Sequence, residues 1–282
     1  MNIWLAWLVF GLIEHLWLRV EFGGDVALGR RIAAAVEHAG PRAYFASLRT
    51  HLENVDLVVA NLEGSVRLPA RRAAGRRFDL SFEEAALSCL VPSGIRHFGL
   101  SNNHASDGGP RSRARTIAAL AHRGLHGFHG VCRVTRKGIP LSIIACDLTA
   151  THGGRAIGII RQEAVDRLTF VFPHLGAEDT DRIDIADRAF LRACLDAGAA
   201  GVFGHHPHRI KAGGSLGGKP AYASLGSLLF DRSRRPDCFG LLVRVHIWAG
   251  IPVAWERFIV HLRPGNHQPL VWPGGAGFHL YR

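Results

Sequence analysis

Lysine is nearly missing from this chain. Lys137, Lys211 and Lys219 are the only ones among 34 basic side chains, so the net charge of +11 is carried by arginine. A guanidinium stays charged and forks onto carboxylates or phosphates. The balance therefore suits a polyanionic partner or an anionic membrane surface, although arginine-rich solvated faces account for it equally well. Nucleic acid is not indicated, because there is no zinc-finger spacing, no basic-region heptad and no aromatic RNP-like strand. The five cysteines are far apart and contain no C-x-x-C, which argues against a disulfide framework and a four-cysteine zinc site. Gly213-Gly214-Ser215-Leu216-Gly217 has G-x-S-x-G spacing, but no helix pattern opens after it, so a hydrolase nucleophile elbow is not supported. Gly213-Gly214-Ser215-Leu216-Gly217-Gly218 lacks the Lys-Ser/Thr of a phosphate loop and reads as a hairpin loop. The longest apolar run, Ile3 to Ile13, is too short to span a bilayer. It also lacks a basic n-region and a small-residue cleavage site. Residues 1–15 are thus an apolar segment, an anchor or a packed helix, ahead of a single domain over 16–282.

Histidine is where the chain is rich. Gly204-His205-His206-Pro207-His208 follows the apolar run Ala200-Gly201-Val202-Phe203, a short buried strand. Each imidazole has two nitrogens to satisfy, and strand ends are where α/β proteins place their chemistry. A shared cation is the economical explanation, with His206 and His208 reaching the same side.

The remaining chain alternates strands and helices, with extra antiparallel strands late. Leu16 to Phe22 reads as a strand closing in a tight turn at Gly23-Gly24-Asp25. Helices are expected over Gly29 to Ala39, Arg42 to Leu52, Arg113 to Arg123 and Ile183 to Ala197. Ser81 with Glu84 reads as a capping box opening a helix to Leu90. Val55 to Ala60 is a buried parallel strand ending at Asn61-Leu62-Glu63-Gly64, and Ile95 to Leu100 one ending at Ser101-Asn102-Asn103-His104. Lys137-Gly138 turns a hairpin, and Leu168 to Phe172 ends at Pro173-His174. Further strands are expected over Ala221 to Leu225, Leu241 to Ile247 and Pro252 to Leu262. The last twenty residues read as coil.

Five successive strand ends thus carry Asp25, Glu63, Asn103-His104, His174 and His206/His208. Singly, Asp25 reads also as a cap, Glu63 as a solvated charge, and His174 as a satisfied histidine. Coincidence at every end is a poorer explanation than a common site. Mixed nitrogen and oxygen donors suit zinc, manganese or iron better than calcium, and the set is large enough for one or two ions. Paired ions activate water and clamp a phosphoryl oxygen, and His104 is placed to act as general acid.

These motifs, in order, resemble the bacterial capsule-synthesis proteins of the poly-γ-glutamate (CapA-like) type, related to calcineurin-like metallophosphoesterases. The resemblance runs through Gly24-Asp25-Val26 with Gly29-Arg30, Asn61-Leu62-Glu63-Gly64, and Asn102-Asn103-His104 with Asp107-Gly108. It continues through His174-x-Gly176-x-Glu178, Gly204-His205-His206-Pro207-His208, and Ser224-Leu225-Gly226 leading to Phe230-Asp231. It implies a four-layer α/β/β/α sandwich and a role in making or exporting an anionic γ-linked glutamate polymer, with membrane-associated synthase subunits as candidate partners and a membrane-associated or cell-envelope location, a cytoplasmic one staying open. The same resemblance makes Asp25, Glu63, Asn103, His174, His206 and His208 metal ligands and His104 catalytic. Arg30 and His205 become substrate-binding residues. It implies an anionic polymer or phosphorylated substrate. Three positions depart from the pattern: Ala27 where phosphoesterases carry histidine, Leu175 where the family has Trp, and Ser227 where it has Asn. A phosphoester hydrolase unconnected with capsule, and a non-catalytic polyanion-binding subunit using Arg67 to Arg77, are the rival readings.

Overall fold

In a computed structural model of the chain, residues 16–29, 31–68, 78–149, 153–211, 213–231, 237–272 and 277–281 are described. The apolar segment before Leu16, Arg30 and most of the basic stretch from Arg67 to Arg77 lie outside them. The strands are β1 (Trp17–Val26), β2 (Leu57–Leu62), β3 (His97–Gly99), β4 (His126–Phe128), β5 (Gly130–Arg136), β6 (Ile139–Asp147), β7 (Leu168–His174) and β8 (Gly201–Phe203). They continue as β9 (Gly213–Leu216), β10 (Lys219–Tyr222), β11 (Ser227–Leu229), β12 (Phe239–Trp248), β13 (Ile251–Leu262), β14 (Pro269–Val271) and β15 (Phe278–Leu280). The helices are α1 (Ile32–Ala39), α2 (Pro41–Tyr44), α3 (Ala46–Leu52), α4 (Ser112–Ala121), α5 (Gly154–Glu163) and α6 (Ile185–Asp196), with a 3-10 helix over Glu84–Ser93.

Two mixed sheets result. One runs β14-β13-β12-β1-β2-β3-β4, with β11 also on β1 and β15 also on β13; the other runs β5-β6-β7-β8-β10-β9. Every residue of β2 is buried, as a strand covered on both faces requires. Between the sheets lie Leu18, Val20, Phe22, Val59, Phe170, Phe172, Phe203, Val243 and Trp255. Phe22 stacks on Phe203 with ring centroids 4.1 Å apart, and sits 5.2 Å from Phe170. The outer face of the first sheet packs Val58, Ala60 and Leu62 against α1, α3 and the 3-10 helix. That of the second packs Ile144, Val171 and Val202 against α5 and α6. The three apolar layers separate four layers of secondary structure, helix, sheet, sheet, helix, as expected. Among the described residues no helix is long and apolar enough to cross a membrane.

Several local expectations are corrected. No tight turn closes β1 at Gly23-Gly24, and the strand runs through Asp25 to Val26. A Cβ on Gly24 would stand 1.9 Å from Gly226 O, so this glycine admits the close approach of the chain entering β11. The capping box at Ser81 does not form. Its amide donates to Asp79 Oδ1 at 2.8 Å and the next residue bridges to Val66, keeping the chain extended until a 3-10 helix starts at Glu84. Pro92 inside that helix bars an α-helical ladder there. The helix expected over Arg42 to Leu52 breaks at Phe45 into α2 and α3. The strand read over Ala221 to Leu225 is β10, ending at Tyr222. The C-terminal stretch is not all coil, since β14 and β15 both pair with β13. The hairpin at Lys137-Gly138 is as read, with φ of 49° and 75° at the two turn residues.

Phe22→Ala removes the ring at the centre of the inter-sheet layer. The expected loss is about 3–5 kcal/mol of unfolding free energy, read from urea denaturation.

Candidate metal centre

β1, β2, β3 and β11 are mutually parallel along one sheet, and β6, β7 and β8 along the other. Their carboxyl ends come together because the two sheets pack face to face, and there the chemistry collects. Asp25 and Glu63 are fully buried, as is His174; His205, His206 and His208 are nearly so.

Asp25 is fixed from three directions. Its Oδ1 accepts from Asn61 Nδ2 at 2.8 Å and its Oδ2 from the His206 amide at 3.2 Å, while His208 Nδ1 lies 3.2 Å from Oδ2. Asn61 is held in turn by Asn102, whose Nδ2 donates to Asn61 Oδ1 at 3.0 Å and to Leu62 O at 2.9 Å. Asn102 thus orients the residue that orients Asp25. His208 Nε2 stands 3.5 Å from Glu63 Oε1, and His104 Nε2 stands 3.8 Å from the same oxygen. His174 Nε2 meets Asn103 Oδ1 at 2.8 Å and His174 Nδ1 meets His205 Nδ1 at 2.7 Å. An amide oxygen only accepts, so with no ion bound His174 Nε2 carries the proton and His205 Nδ1 donates to His174 Nδ1; an ion held by His174 would replace one of these two hydrogen bonds.

Three sets of ligand atoms lie within 4.8 Å of one another: Asp25, Glu63 and His208; Glu63, His174 and His206; and Asp25, His174 and His205. The first two share Glu63. A donor set of carboxylates and imidazoles fits a divalent transition ion, and a test within the molecule agrees. His206 Nδ1 is buried with no hydrogen-bond partner, and the partner nearest His208 Nδ1 is the Asp25 carboxylate at 3.2 Å. A buried imidazole nitrogen is costly to leave unsatisfied, and a cation would satisfy it.

The electrostatics point the same way. Burial, chiefly, pushes His174, His205 and His206 down, His205 to about 4, so these rings are neutral at neutral pH. For Asp25 burial is the largest influence and acts upward. The hydrogen bond and charge of His208, with His205 and His174, outweigh it and hold the carboxyl well below its ordinary range. An ionised carboxylate buried among the neutral His174, His205 and His206 rings suits a bound cation.

The backbone at the histidine loop is strained. His206 and His208 have φ of 110° and 57° on either side of Pro207; the left-handed region is costly for side chains of this size. Lys211 braces the loop. It is 1% exposed, with its Nζ 3.8 Å from Asp187 Oδ2 at the start of α6. A Cβ on Gly176 would stand 2.7 Å from that Nζ and 2.8 Å from Asp187 Oδ2. The pair therefore grips the chain just beyond His174 as well as the loop bearing His206 and His208.

The residues singled out from the sequence fare unequally. Asp25, Glu63, His174, His206 and His208 converge, with Asn103 joined through His174. His104 borders them, its Nδ1 donating to Asp107 Oδ2 at 2.7 Å. His205 is not on a substrate-facing surface. It is 1% exposed and its ring packs 4.4 Å from Phe172, beneath the cluster. Arg30 lies outside the described residues. Asn61 and Asp107 sat inside the motifs but were given no task; the three-residue spacing of His104 and Asp107 was the available signal. Nothing in the local sequence flagged Lys211 with Asp187, whose partnership is tertiary.

The family model "Bacterial capsule synthesis protein PGA_cap" matches residues 19–144 and 149–232. "Capsule biosynthesis protein CapA" of Bacillus anthracis is 24% identical over 290 residues, covering 91% of this chain and 70% of that protein. "PGA biosynthesis protein CapA" of Bacillus subtilis (strain 168) is 22% identical over 257 residues, covering 82% and 68%. Among solved structures, Vps29 of Chaetomium thermophilum aligns over 79% of this chain and 95% of its own, at 10% identity and a TM-score of 0.35. A superposition that loose carries no argument about chemistry.

Breaking the Lys211 pair on one side should cost stability. Lys211→Met is expected to lose about 3 kcal/mol by urea unfolding, and adding Asp187→Asn should recover part of it. Equal stability of Lys211→Met and wild type would show that the pair is no brace.

Proposed function

The chain belongs to the bacterial capsule synthesis protein family PGA_cap, with the CapA proteins of capsule and polyglutamate biosynthesis, and on that footing we propose that it serves anionic polymer synthesis as a metal-dependent hydrolase of phosphoesterase type. The observation that carries this reading is the pair of buried three-ligand groups sharing Glu63. Asp25, Glu63 and His208 would hold one divalent ion; Glu63, His174 and His206, with Asn103 alongside, would hold a second. Zinc, manganese or iron fits these donors. Ions there would supply Lewis acidity and offset charge developing on the phosphoryl oxygens.

The chain's own residues do the rest. Asp107 fixes the His104 ring through Nδ1, which turns Nε2 toward the centre. His104 is partly exposed, with a side chain 13% accessible, so solvent and substrate can reach it. In the proposed reaction the oxygen of a water molecule bonds to phosphorus as the bond to the leaving oxygen breaks, and His104 protonates that leaving oxygen. Asn61 and Asn102 keep Asp25 oriented, and Pro207 with the Lys211 brace keeps His206 and His208 from relaxing.

A second reading, a polyanion-binding subunit without turnover, has one observation in its favour. Ala27, where phosphoesterases carry a ligand histidine, is buried among Leu80, Phe230, Cys238 and Leu262 and offers no donor. Such a subunit would bind polymer with a steep salt dependence and indifference to chelator.

Elemental analysis of purified protein decides between them. About one or two transition ions per chain are expected in wild type and none in His206→Ala/His208→Ala. His104→Ala should keep its metal but lose about 10²–10⁴-fold in turnover of an aryl phosphate. Metal-free wild type after reloading, or equal metal in the double variant, would sink the metal-centre proposal and favour the binding subunit.

A further inference from the structure

A cavity of about 720 Å³ lies at the far end of the first sheet from the cluster just described. One wall is the stretch through α2 and α3; the other is the 3-10 helix with the residues that follow it. The walls meet where a Cβ on Gly94 would stand 3.2 Å from Leu52 Cδ1. Arg49 and Glu53 flank Leu52 on one side of that contact, and Arg96 follows Gly94 on the other. From here β2 runs six residues to Glu63, about 20 Å at the rise of a strand. A ligand in the cavity therefore cannot touch the proposed metal centre, and its assignment does not depend on that centre. The volume falls within the range of small-molecule sites.

The lining carries the guanidinium groups of Arg42, Arg49 and Arg96 and the carboxylate of Glu53. Among the described residues, the charged groups of Arg42, Arg49 and Glu53 have no hydrogen-bond or ion-pair partner. Arg96 is fastened at one point, its Nη1 donating to Val91 O at 2.9 Å, which leaves the rest of its fork to a ligand. Ser88 adds a hydroxyl. Its oxygen accepts from Arg123 Nε at 3.2 Å, so its proton is there to be donated. Pro41, Leu52, Val91 and Pro92 supply an apolar floor. Three positive charges against one negative leave the wall doubly positive. A lone carboxylate or a sulfate ester brings one charge. A phosphomonoester brings close to two at neutral pH, and three oxygens for the forks to grip.

We propose that this cavity binds a soluble organic phosphate, with its phosphoryl group held by Arg42, Arg49 and Arg96 and its carbon body laid on Pro41, Leu52, Val91 and Pro92. Ser88 donates to the same phosphoryl group. Glu53 stands against a second phosphate, so a compact monoester fits better than a polyphosphate. The site holds its ligand a strand's length from the hydrolytic residues and is no part of the reaction they perform.

Titration calorimetry of the full chain with phenylphosphonate tests this, because its carbon–phosphorus bond withstands a hydrolase. Protein stripped of metal and dialysed free of chelator should bind it. Arg49→Ala and Arg96→Ala should each weaken that binding about tenfold or more, the scale of one charge-assisted contact. Both arginines are exposed, so the fold does not depend on their charged ends. Benzoate, with the same ring and one charge, should bind about tenfold or more weakly than phenylphosphonate. No binding by wild type at millimolar phenylphosphonate, or equal binding by both arginine variants, would overturn the proposal. Benzoate binding as tightly as phenylphosphonate would overturn the phosphate class. Binding seen only after metal loading, and unaltered in the arginine variants, would belong to the metal centre and remove this site.

Discussion

The stack of aromatic rings between the two sheets sets everything above it. Phe22 lies three residues before Asp25, Phe172 two before His174, and Phe203 two before His205. Phe22 and Phe203 stack at 4.1 Å, and Phe22 and Phe172 stand 6.0 Å apart. A strand advances about 3.3 Å per residue, so the height of each polar group above this floor is fixed by ring packing below it. Phe172 also touches the His205 ring at 4.4 Å, which makes the floor continuous with the lowest imidazole. Close packing makes such a floor intolerant of small shifts. The inter-sheet core is therefore part of the site as well as of the fold.

That arrangement has an electrostatic consequence. Placing carboxyl groups at the junction of two sheets strips them of water, a cost that partners must offset. Here the partners are amides and imidazoles. Asn102 holds Asn61, Asn61 holds Asp25, and the His206 amide closes on the same carboxylate. Dipoles of this kind fix position but carry no net charge. His174, His205 and His206, driven neutral by burial, do not supply it either. The strained φ at His206 and His208 belongs to the same balance, since such conformers persist only where the surroundings over-determine them. Pro207 and the Lys211–Asp187 pair are that surrounding structure.

How much of this could be read in advance follows from how local each signal is. Apolar runs ended by polar residues gave β1, β2, β7 and β8 and the ligands at their ends, because burial on both faces leaves a continuous apolar signature. The hairpin after β5 was legible because Lys137-Gly138 is itself the turn. The failures are non-local. β14 and β15 exist because β13 offers them an edge, and a three-residue strand has no periodicity to read. The helix α5 passed unread, its Gly154 and Gly158 diluting the pattern that Ile157 and Ile160 begin. His205 looked like its neighbours, and only β7 lying beside β8 turns it toward Phe172. Lys211 reads as a surface lysine until Asp187, on another element, is beside it.

The departures at positions 27 and 227 bear on the two ligand groups differently. Ala27 lies just beyond the end of β1 and packs against Leu80 and Phe230, where an imidazole would have to displace apolar contacts. The group of Asp25, Glu63 and His208 thus gains nothing from that position. Ser227 is paired with Asp25 across β11, and its hydroxyl donates to His208 O at 3.4 Å; it steadies the backbone of a ligand without reaching the cluster. The group of Glu63, His174 and His206 is untouched by either change and has Asn103 beside it. On the proposed reading the two positions are therefore unequal by construction, the second being the better furnished. Glu63, common to both, is the residue through which filling one would be felt at the other.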